Sequence, residues 1–442
     1  MERIVKRESG ADRAEPSETA VSADFLIAEG ANLLDRWDAH QRFWDERLAA
    51  GLDPYQRSLR GPAGVTARAQ DRGGVAISGV NFASQDYLSL ANHPAIRDVA
   101  VEAIARHGVH SAGSLALQGG SEPLARLSER LAEWLRCRTA VVFPTGWAAG
   151  FGAIRALVRE SDHIVLDSLA HACLQEGAAA ATRNIHRVPH LSCDAIARRL
   201  ARIRAEHATQ GILVVTESLF SMNSTVPDLR AMQDICRSYD ATLLVDVAHD
   251  LGAIADDGLG FLGNQGMIGE VDLVVGAFSK TFASNGGFVA GNAPGLRQAL
   301  IAFAGPLTFS NALSPVQAAV VDAALDIVRS AEGARRRKRL MENATLLREG
   351  LAARAFDVLG QTSAIVPVTI GDTREARLMT RAALSIGGLV NLVEHPAVSR
   401  NQSRWRLQVM ADHTPEHIDR MVAIAVVARE TIHQPECQGA WS

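Results

Sequence analysis

Apolar and polar residues change their period several times along the chain. From Val21 to Ala50, Phe25, Leu26, Leu33, Leu34, Trp37, Phe43, Trp44 and Leu48 recur at roughly helical spacing, which predicts one amphipathic helix or two shorter ones packed on the main body. Residues 61–81 alternate apolar with polar among glycines, as a hairpin does. Helical patterns then occupy 94–107, 121–136, 146–158, 169–181, 193–207 and 229–239. Short apolar strands are predicted at 140–143, 163–167, 211–217, 241–246, 271–276 and 287–291. Strands that alternate with helices make an α/β fold, with a mostly parallel sheet covered on both faces. A long helical stretch over 315–355 leads to a smaller α+β unit, with strands near 364–370 and 404–409 and a last helix over 415–431. The expected organisation is a disordered tail over 1–20, a helical arm and hairpin over 21–92, a large domain over 93–314, a small C-terminal domain over 315–435 and a tail over 436–442.

Composition narrows the function classes. The chain has 442 residues, enough for two to three domains and a core that needs no metal or disulfide to hold it. Forty-five Lys+Arg against 49 Asp+Glu leave no basic excess to neutralise a phosphate backbone, so nucleic acid is not an expected partner. No apolar run reaches about 18 residues, so no membrane span is expected. The charged N-terminus has no apolar h-region, so no secretory signal is expected. Cys137, Cys173, Cys193, Cys236 and Cys437 match neither a zinc spacing nor a disulfide framework. A reducing cytoplasm is the simplest compartment.

Polar residues gather where the predicted strands end. Asp246 ends ATLLVD and His249 follows it, and Ser279 and Lys280 follow VDLVVG. His171 follows HIVLD at a short distance, and Glu217, Ser218 and Ser221 follow ILVVT. In α/β sheets such residues share one edge, where ligands bind. A lysine in a desolvated pocket has a lowered pKa and can form a Schiff base with an aldehyde. Pyridoxal phosphate (PLP) requires such a lysine and an acid for its pyridinium nitrogen, roles that Lys280 and Asp246 can fill. The alternatives are ordinary ones, since a strand-end Asp often caps a helix. The glycine-rich segment 258–266 has no strand–turn–helix frame and is not a dinucleotide loop.

Eight segments then stand in a recognisable order: SQDYLSLANHP (84–94), FPTGWAAG (143–150), AHACLQEG (170–177), ESLFSMNS (217–224), LLVDVAHDLG (243–252), GAFSKTFASNGG (276–287), FSNALSP (309–315) and RWRLQVMADHTPEHID (404–419). The chain resembles the α-oxoamine synthases, fold-type-I PLP transferases, over about residues 75–430. The resemblance implies that Lys280 carries the cofactor as a Schiff base and removes the amino acid's α-proton. By the same resemblance Asp246 pairs with the pyridinium, His249 bonds the phenolic oxygen, His171 stacks on the ring and Ser221 lies near the phenolic oxygen. Thr145, Gly146 and Trp147 fall at the phosphate turn, with Ser279 and Ser310 as further cofactor contacts. Arg406 matches the arginine that holds the substrate carboxylate, and Gln85 falls in a segment that approaches it. Arg404 is set aside in the expectation that it faces the other side of its strand.

The implied reaction is a decarboxylative condensation of an amino acid with an acyl thioester, on CoA or on an acyl carrier protein. It yields an α-amino ketone, carbon dioxide and a free thiol. The segment SRNQSRWRLQ (399–408) looks closer to members that use medium or long acyl chains. A homodimer with shared sites is implied as well. Departures from the family pattern are Ala277 for Thr, Val247 for Glu, Gln85 for Asn, Ser89 for Gly and Leu124 where a His is usual. The rival readings are transamination or aldol cleavage on the same fold, and a non-catalytic scaffold. The scaffold is disfavoured because Lys280, Asp246, His171 and His249 are all retained.

Overall fold

The computed structural model describes residues 16–26 and 30–433. Of the tail expected over 1–20, residues 1–15 lie outside the described residues, as does the tail over 436–442. Residues 16–20 correct that expectation. Pro16–Thr19 forms α1, Ser17 is buried, and Arg377 donates to Ser17 O at 2.9 Å and to Ala20 O at 2.7 Å. The arm continues through two single 3₁₀ turns into α2 (Asp38–Ala49). Its Phe43 and Arg47 are buried, and Arg47 donates to Glu394, which also accepts from Tyr55 and Arg377. One carboxylate therefore joins two guanidinium groups and ties the arm to the C-terminal unit.

β1 (Ser58–Leu59), β2 (Thr66–Gln70) and β3 (Ala76–Asn81) make an antiparallel meander. It leads to α3 (Pro94–His107) and α4 (Glu122–Trp134). The large sheet then assembles. Its strands are β4 (Thr139–Phe143), β5 (His163–Asp167), β6 (Ile185–Val188), β7 (Ile212–Glu217), β8 (Thr242–Asp246), β9 (Leu273–Ala277) and β10 (Gly287–Gly291), in the order β4-β10-β9-β8-β7-β5-β6. β10 runs antiparallel to both neighbours, and the other pairs are parallel. The helices between them are α5 (Gly146–Leu157), α6 (Ala172–Ala181), α7 (Cys193–Glu206), α8 (Leu229–Ser238) and the short α9 (Gly260–Asn264). Every residue of β5 and β7 is buried, as the continuous apolar runs require of strands covered on both faces. Burying each Val or Leu of these strands contributes roughly 1.5–3 kcal/mol, so the strand ends are held by the stiffest part of the molecule.

α10 (Leu296–Phe303) and α11 (Gly305–Thr308) close the large unit. The stretch expected to be one helix over 315–355 is two, α12 (Pro315–Arg329) and α13 (Ala331–Ala352). The break falls at Ser330, whose extended backbone and Oγ cap the amides of Glu332 and Gly333. Gly333 sits so close to the previous helix that a Cβ there would lie 2.4 Å from Ile327 O. The C-terminal unit holds β11 (Asp357–Val358), β12 (Ile365–Gly371), α14 (Thr373–Ser385), β13 (Gly388–Leu389), β14 (Leu392–Val393), β15 (Ser403–Gln408) and α15 (Pro415–His433). Its sheet has the order β11-β12-β15-β14, while β13 joins β3 in parallel. The N-terminal hairpin is thus built onto the C-terminal unit. No helix among the described residues is long and apolar enough to cross a membrane.

Asp250, just past β8, is fully buried and accepts from Ser218 Oγ at 2.6 Å and from Phe261 N–H at 2.7 Å. Burial pushes its carboxyl up to about 7. An acid raised by folding adds stability below its unfolded pKa, near 4, and loses it as pH rises through about 7. Asp250→Asn removes the charge; its amide oxygen can still accept the Phe261 N–H, and its NH2 can donate to Ser218 Oγ, which then donates to Asp246 O. At 1.36 kcal/mol per pK unit, the variant is expected to gain up to about 4 kcal/mol over the wild type between about pH 4 and pH 8. Urea midpoints of the two proteins across that range test this, and parallel curves would contradict it.

Candidate active site

The carboxyl ends of β4, β5, β7, β8 and β9 lie at one edge of the large sheet, together with the amino end of β10. Between them is a cavity of about 280 Å³ lined by Lys280, Asp246, Glu217, His171, His249 and the Thr145–Trp147 turn, among others. A groove of about 740 Å³ opens at the opposite edge, but its Asp162 and Asp272 are occupied by main-chain amides of Gly211 and Leu243. The cavity at the carboxyl edge, unlike this groove, brings a lysine and two histidines together with its carboxyls.

Lys280 follows β9 on a short turn and reaches the cavity half-buried. Burial lowers its pKa, and Arg406 adds to the fall while Asp246 opposes it. Asp246 ends β8, and its Oδ1 accepts the Ala248 amide at 2.9 Å. It stands in register beside Glu217 on β7. Burial raises both carboxyls, but His171 and Lys280 hold Asp246 down, while Asp246 itself drives Glu217 well above the usual range. Of the pair, Glu217 is therefore pushed further towards its protonated form, and Asp246 is the acid that ionises more readily. Glu217 Oε1 accepts the main-chain N–H of His171 at 2.6 Å and so fixes the start of α6.

His249 is buried and held neutral, chiefly by burial and then by Lys280 and Arg406. Its Nδ1 lies 2.8 Å from the hydroxyl of Tyr87, itself fully buried with its pKa pushed up by burial. Tyr87 has no other acceptor among the described residues, so the phenol donates to Nδ1 and leaves Nε2 carrying the proton. His171 caps α6, with Nδ1 3.3 Å from the Cys173 amide and 3.0 Å from its Sγ. Trp147 meets the His171 ring edge-on, with centroids 6.0 Å apart.

The turn before α5 supplies an anion cradle. Thr145 caps that helix through Ala148, and the first amides of a helix favour an anion. The turn sits tightly on β9, since a Cβ on Gly146 would lie 2.4 Å from that of Ala277. A cavity with a desolvated lysine, a charged acid facing it, two neutral imidazoles and this cradle fits PLP. The sequence resemblance would assign the phosphate to the cradle, the ring nitrogen to Asp246 and the aldehyde to Lys280.

Arg406 projects from β15 with Nη1 4.0 Å from Met222 Sδ, a buried Nε that has no partner, and no ion pair among the described residues. Arg404 lies two residues away and so on the same face, which corrects the sequence expectation. It also reaches Met222, at its carbonyl, and bonds Asn223 and Gln402. The donors of Arg404 are taken up by these partners, whereas Arg406 keeps a buried Nε with no partner. Ser221 is buried in the 218–225 turn outside the cavity lining. Gln85 is half-buried and Ser310 is exposed, donating to Pro306 O; neither lines the cavity of the single chain. Ser279 lines it. Glu217 and Tyr87 were given no site role from sequence. The register of Glu217 beside Asp246 is a signal that strand patterning holds, but Tyr87 lies on an irregular segment with no such signal. Cys137, Cys173, Cys193 and Cys236 are free thiols, and Cys437 lies outside the described residues.

Comparison with known proteins agrees with this geometry. The model of the family "aminotransferase class I and II" matches residues 77–424. An 8-amino-7-oxononanoate synthase of Geobacter sulfurreducens is 35% identical over 380 residues, 86% of this chain and 94% of that one. The enzyme of the same name from Pectobacterium atrosepticum is 32% identical, over 86% of this chain and 97% of its own. Among solved structures, Sphingomonas wittichii serine palmitoyltransferase superposes with a TM-score of 0.84 at 27% identity, covering 91% of this chain and 99% of that one. The chain therefore belongs to the aminotransferase class I and II family and, within it, to the α-oxoamine synthases, fold-type-I PLP enzymes that join an amino acid to an acyl thioester with loss of carbon dioxide.

Proposed function

We propose that this chain condenses an amino acid with a medium- or long-chain acyl thioester, on CoA or on an acyl carrier protein, with Lys280, Asp246, His171, His249 and Arg406 as the working residues. The observation that supports it best is the Arg406 guanidinium on β15, whose buried Nε has no partner, close enough to a desolvated Lys280 to lower its pKa. PLP, when bound, supplies the sink for the electron pair left at the amino acid's α-carbon. Arg406 holds the substrate carboxylate and so sets which α-bond faces the ring. Lys280 Nζ, whose pKa burial lowers, takes the α-proton. Asp246 holds a proton at the ring nitrogen. His171 covers one ring face, and His249, steadied by Tyr87, offers its Nε2–H to the phenolic oxygen. Thr145, Gly146, Trp147 and Ser279 surround the phosphate, and Ser221 supports the loop opposite Arg406.

A homodimer with Gln85 and Ser310 reaching the partner's site completes this reading, as does a cytoplasmic location. Transamination is the rival on this fold. Free thiol released from an acyl thioester only when an amino acid is present tests the proposal. Keto-acid formation with no thiol release from any donor would favour the rival. Replacing Arg406 by Lys keeps the charge and loses the paired donors. Hydrogen bonds to a charged group are worth about 1.5–3 kcal/mol, so the KM for the amino acid is expected to rise about 10- to 100-fold. The KM for the acyl donor is expected to stay within a few-fold, and an unchanged amino-acid KM would remove Arg406 from this role.

A further inference from the structure

The Nδ1 atom of His171 meets two groups of one residue, the amide of Cys173 at 3.3 Å and its Sγ at 3.0 Å. A ring nitrogen that accepts a backbone N–H carries no proton of its own. The second contact therefore runs from S–H to Nδ1 and not the reverse. Burial and the nearby Asp246 and Glu217 carboxyls push the Cys173 pKa far up, so the sulfur keeps its proton to donate. The sulfur also has little room to turn away. It is packed against Gly150 of α5, where a Cβ would stand 2.7 Å from Sγ.

We propose that Cys173 is a positioning residue that locks His171 as the neutral Nε2–H tautomer, so that the ring meets cofactor and substrate uncharged and with a donor at Nε2. The charged and titratable groups around this ring come from four strands. Burial disfavours a positive ring most; Asp246 on β8 favours one, and Lys280 after β9 and Arg406 on β15 oppose it further. Glu217 on β7 holds the His171 main-chain N–H. Both Cys173 bonds exist only while Nδ1 is bare; they add to the neutral bias set by burial and choose the tautomer. His249 is fixed in the same sense by Tyr87, so both imidazoles lining the cavity present Nε2–H. The catalytic consequence rests on the function proposed above; the tautomer does not.

The test is nitrogen-15 NMR of the histidine rings in the full-length chain, before and after addition of PLP, with His171→Asn to assign the signal. The wild type is expected to show an unprotonated Nδ1 and a protonated Nε2 from about pH 6 to 8. Cys173→Ala is expected to move the protonation midpoint of His171 up by about 0.5–1 pH unit and to admit the Nδ1–H form. Cys173→Ser, which keeps a donor, is expected to return towards the wild type. A protonated Nδ1 in the wild type overturns the proposal, and so does a Cys173→Ala titration that superimposes on it. The wild-type spectrum decides even where the alanine variant does not fold. A chain with the expected tautomer that releases no thiol from any acyl thioester would defeat the function proposed above and leave this inference standing.

Discussion

Lys280→Ala is expected to abolish condensation while leaving the fold and some cofactor binding intact. A positioned general base alone contributes about 10²–10⁴-fold, and here the same amine also carries the cofactor, so the loss in kcat is expected to reach or exceed the upper figure. The fold does not suffer, because the substitution removes an ammonium group that burial already disfavours. Asp246, His171, His249 and the α5 turn remain to bind PLP without a covalent link. Borohydride treatment is then expected to fix cofactor mass on residue 280 in the wild type and none in the variant. Lys280→Arg separates charge from chemistry. A guanidinium keeps the cation but stays protonated and cannot act as base or nucleophile. It is expected to be as inactive as the alanine variant. Retention of more than a tenth of wild-type activity by either variant would sink the assignment of Lys280.

Which parts of this site could be read in the chain follows from how each residue is placed. Lys280, Asp246, His249 and His171 were legible because each follows a strand of an α/β pattern, and parallel strands carry such residues to one edge. The order of motifs then gave them roles. What escaped depends on distance or on packing. Tyr87 reaches His249 across 162 positions, and no periodicity encodes that pairing. β6 is a four-residue edge strand with His186 and Arg187 at its centre, too short and polar to stand out. The break between α12 and α13 carries no proline; it is set by Gly333 pressed on the preceding helix. α14 was not anticipated at all. It is capped by Asp372 and buries Ala376, Met379 and Ala383 against a unit whose sheet order sequence could not supply. The choice between Arg404 and Arg406 turned on which donors are already used, and only coordinates show that.

Asp246→Asn isolates the charge of the acid from its shape. The amide oxygen can still accept the Ala248 N–H that Asp246 Oδ1 accepts at 2.9 Å, and the main-chain carbonyl still receives the Ser218 amide at 2.8 Å. What goes is the carboxylate charge that Asp246, the more readily ionised acid of the buried pair, can carry. Without it nothing holds a proton on the cofactor's ring nitrogen, and the carbanion's electron pair has a poorer sink. Loss of a preorganised electrostatic contact of this kind costs about 10²–10³-fold in kcat, and that is the expected fall. The pH profile adds a signature that misfolding would not produce. Asp246 raises the pKa of Lys280 by favouring its ammonium form, so its neutralisation lets the Lys280 pKa fall further. The acid limb of the residual activity is expected to move to lower pH even as the plateau drops. Glu217, relieved of a neighbouring negative charge, is expected to ionise more easily for the same reason. Steady-state rates of thiol release from about pH 5 to 9, for the wild type and Asp246→Asn, give both readings. A variant within tenfold of the wild type, or an acid limb that moves upward, would show that Asp246 does not act on the cofactor through its charge.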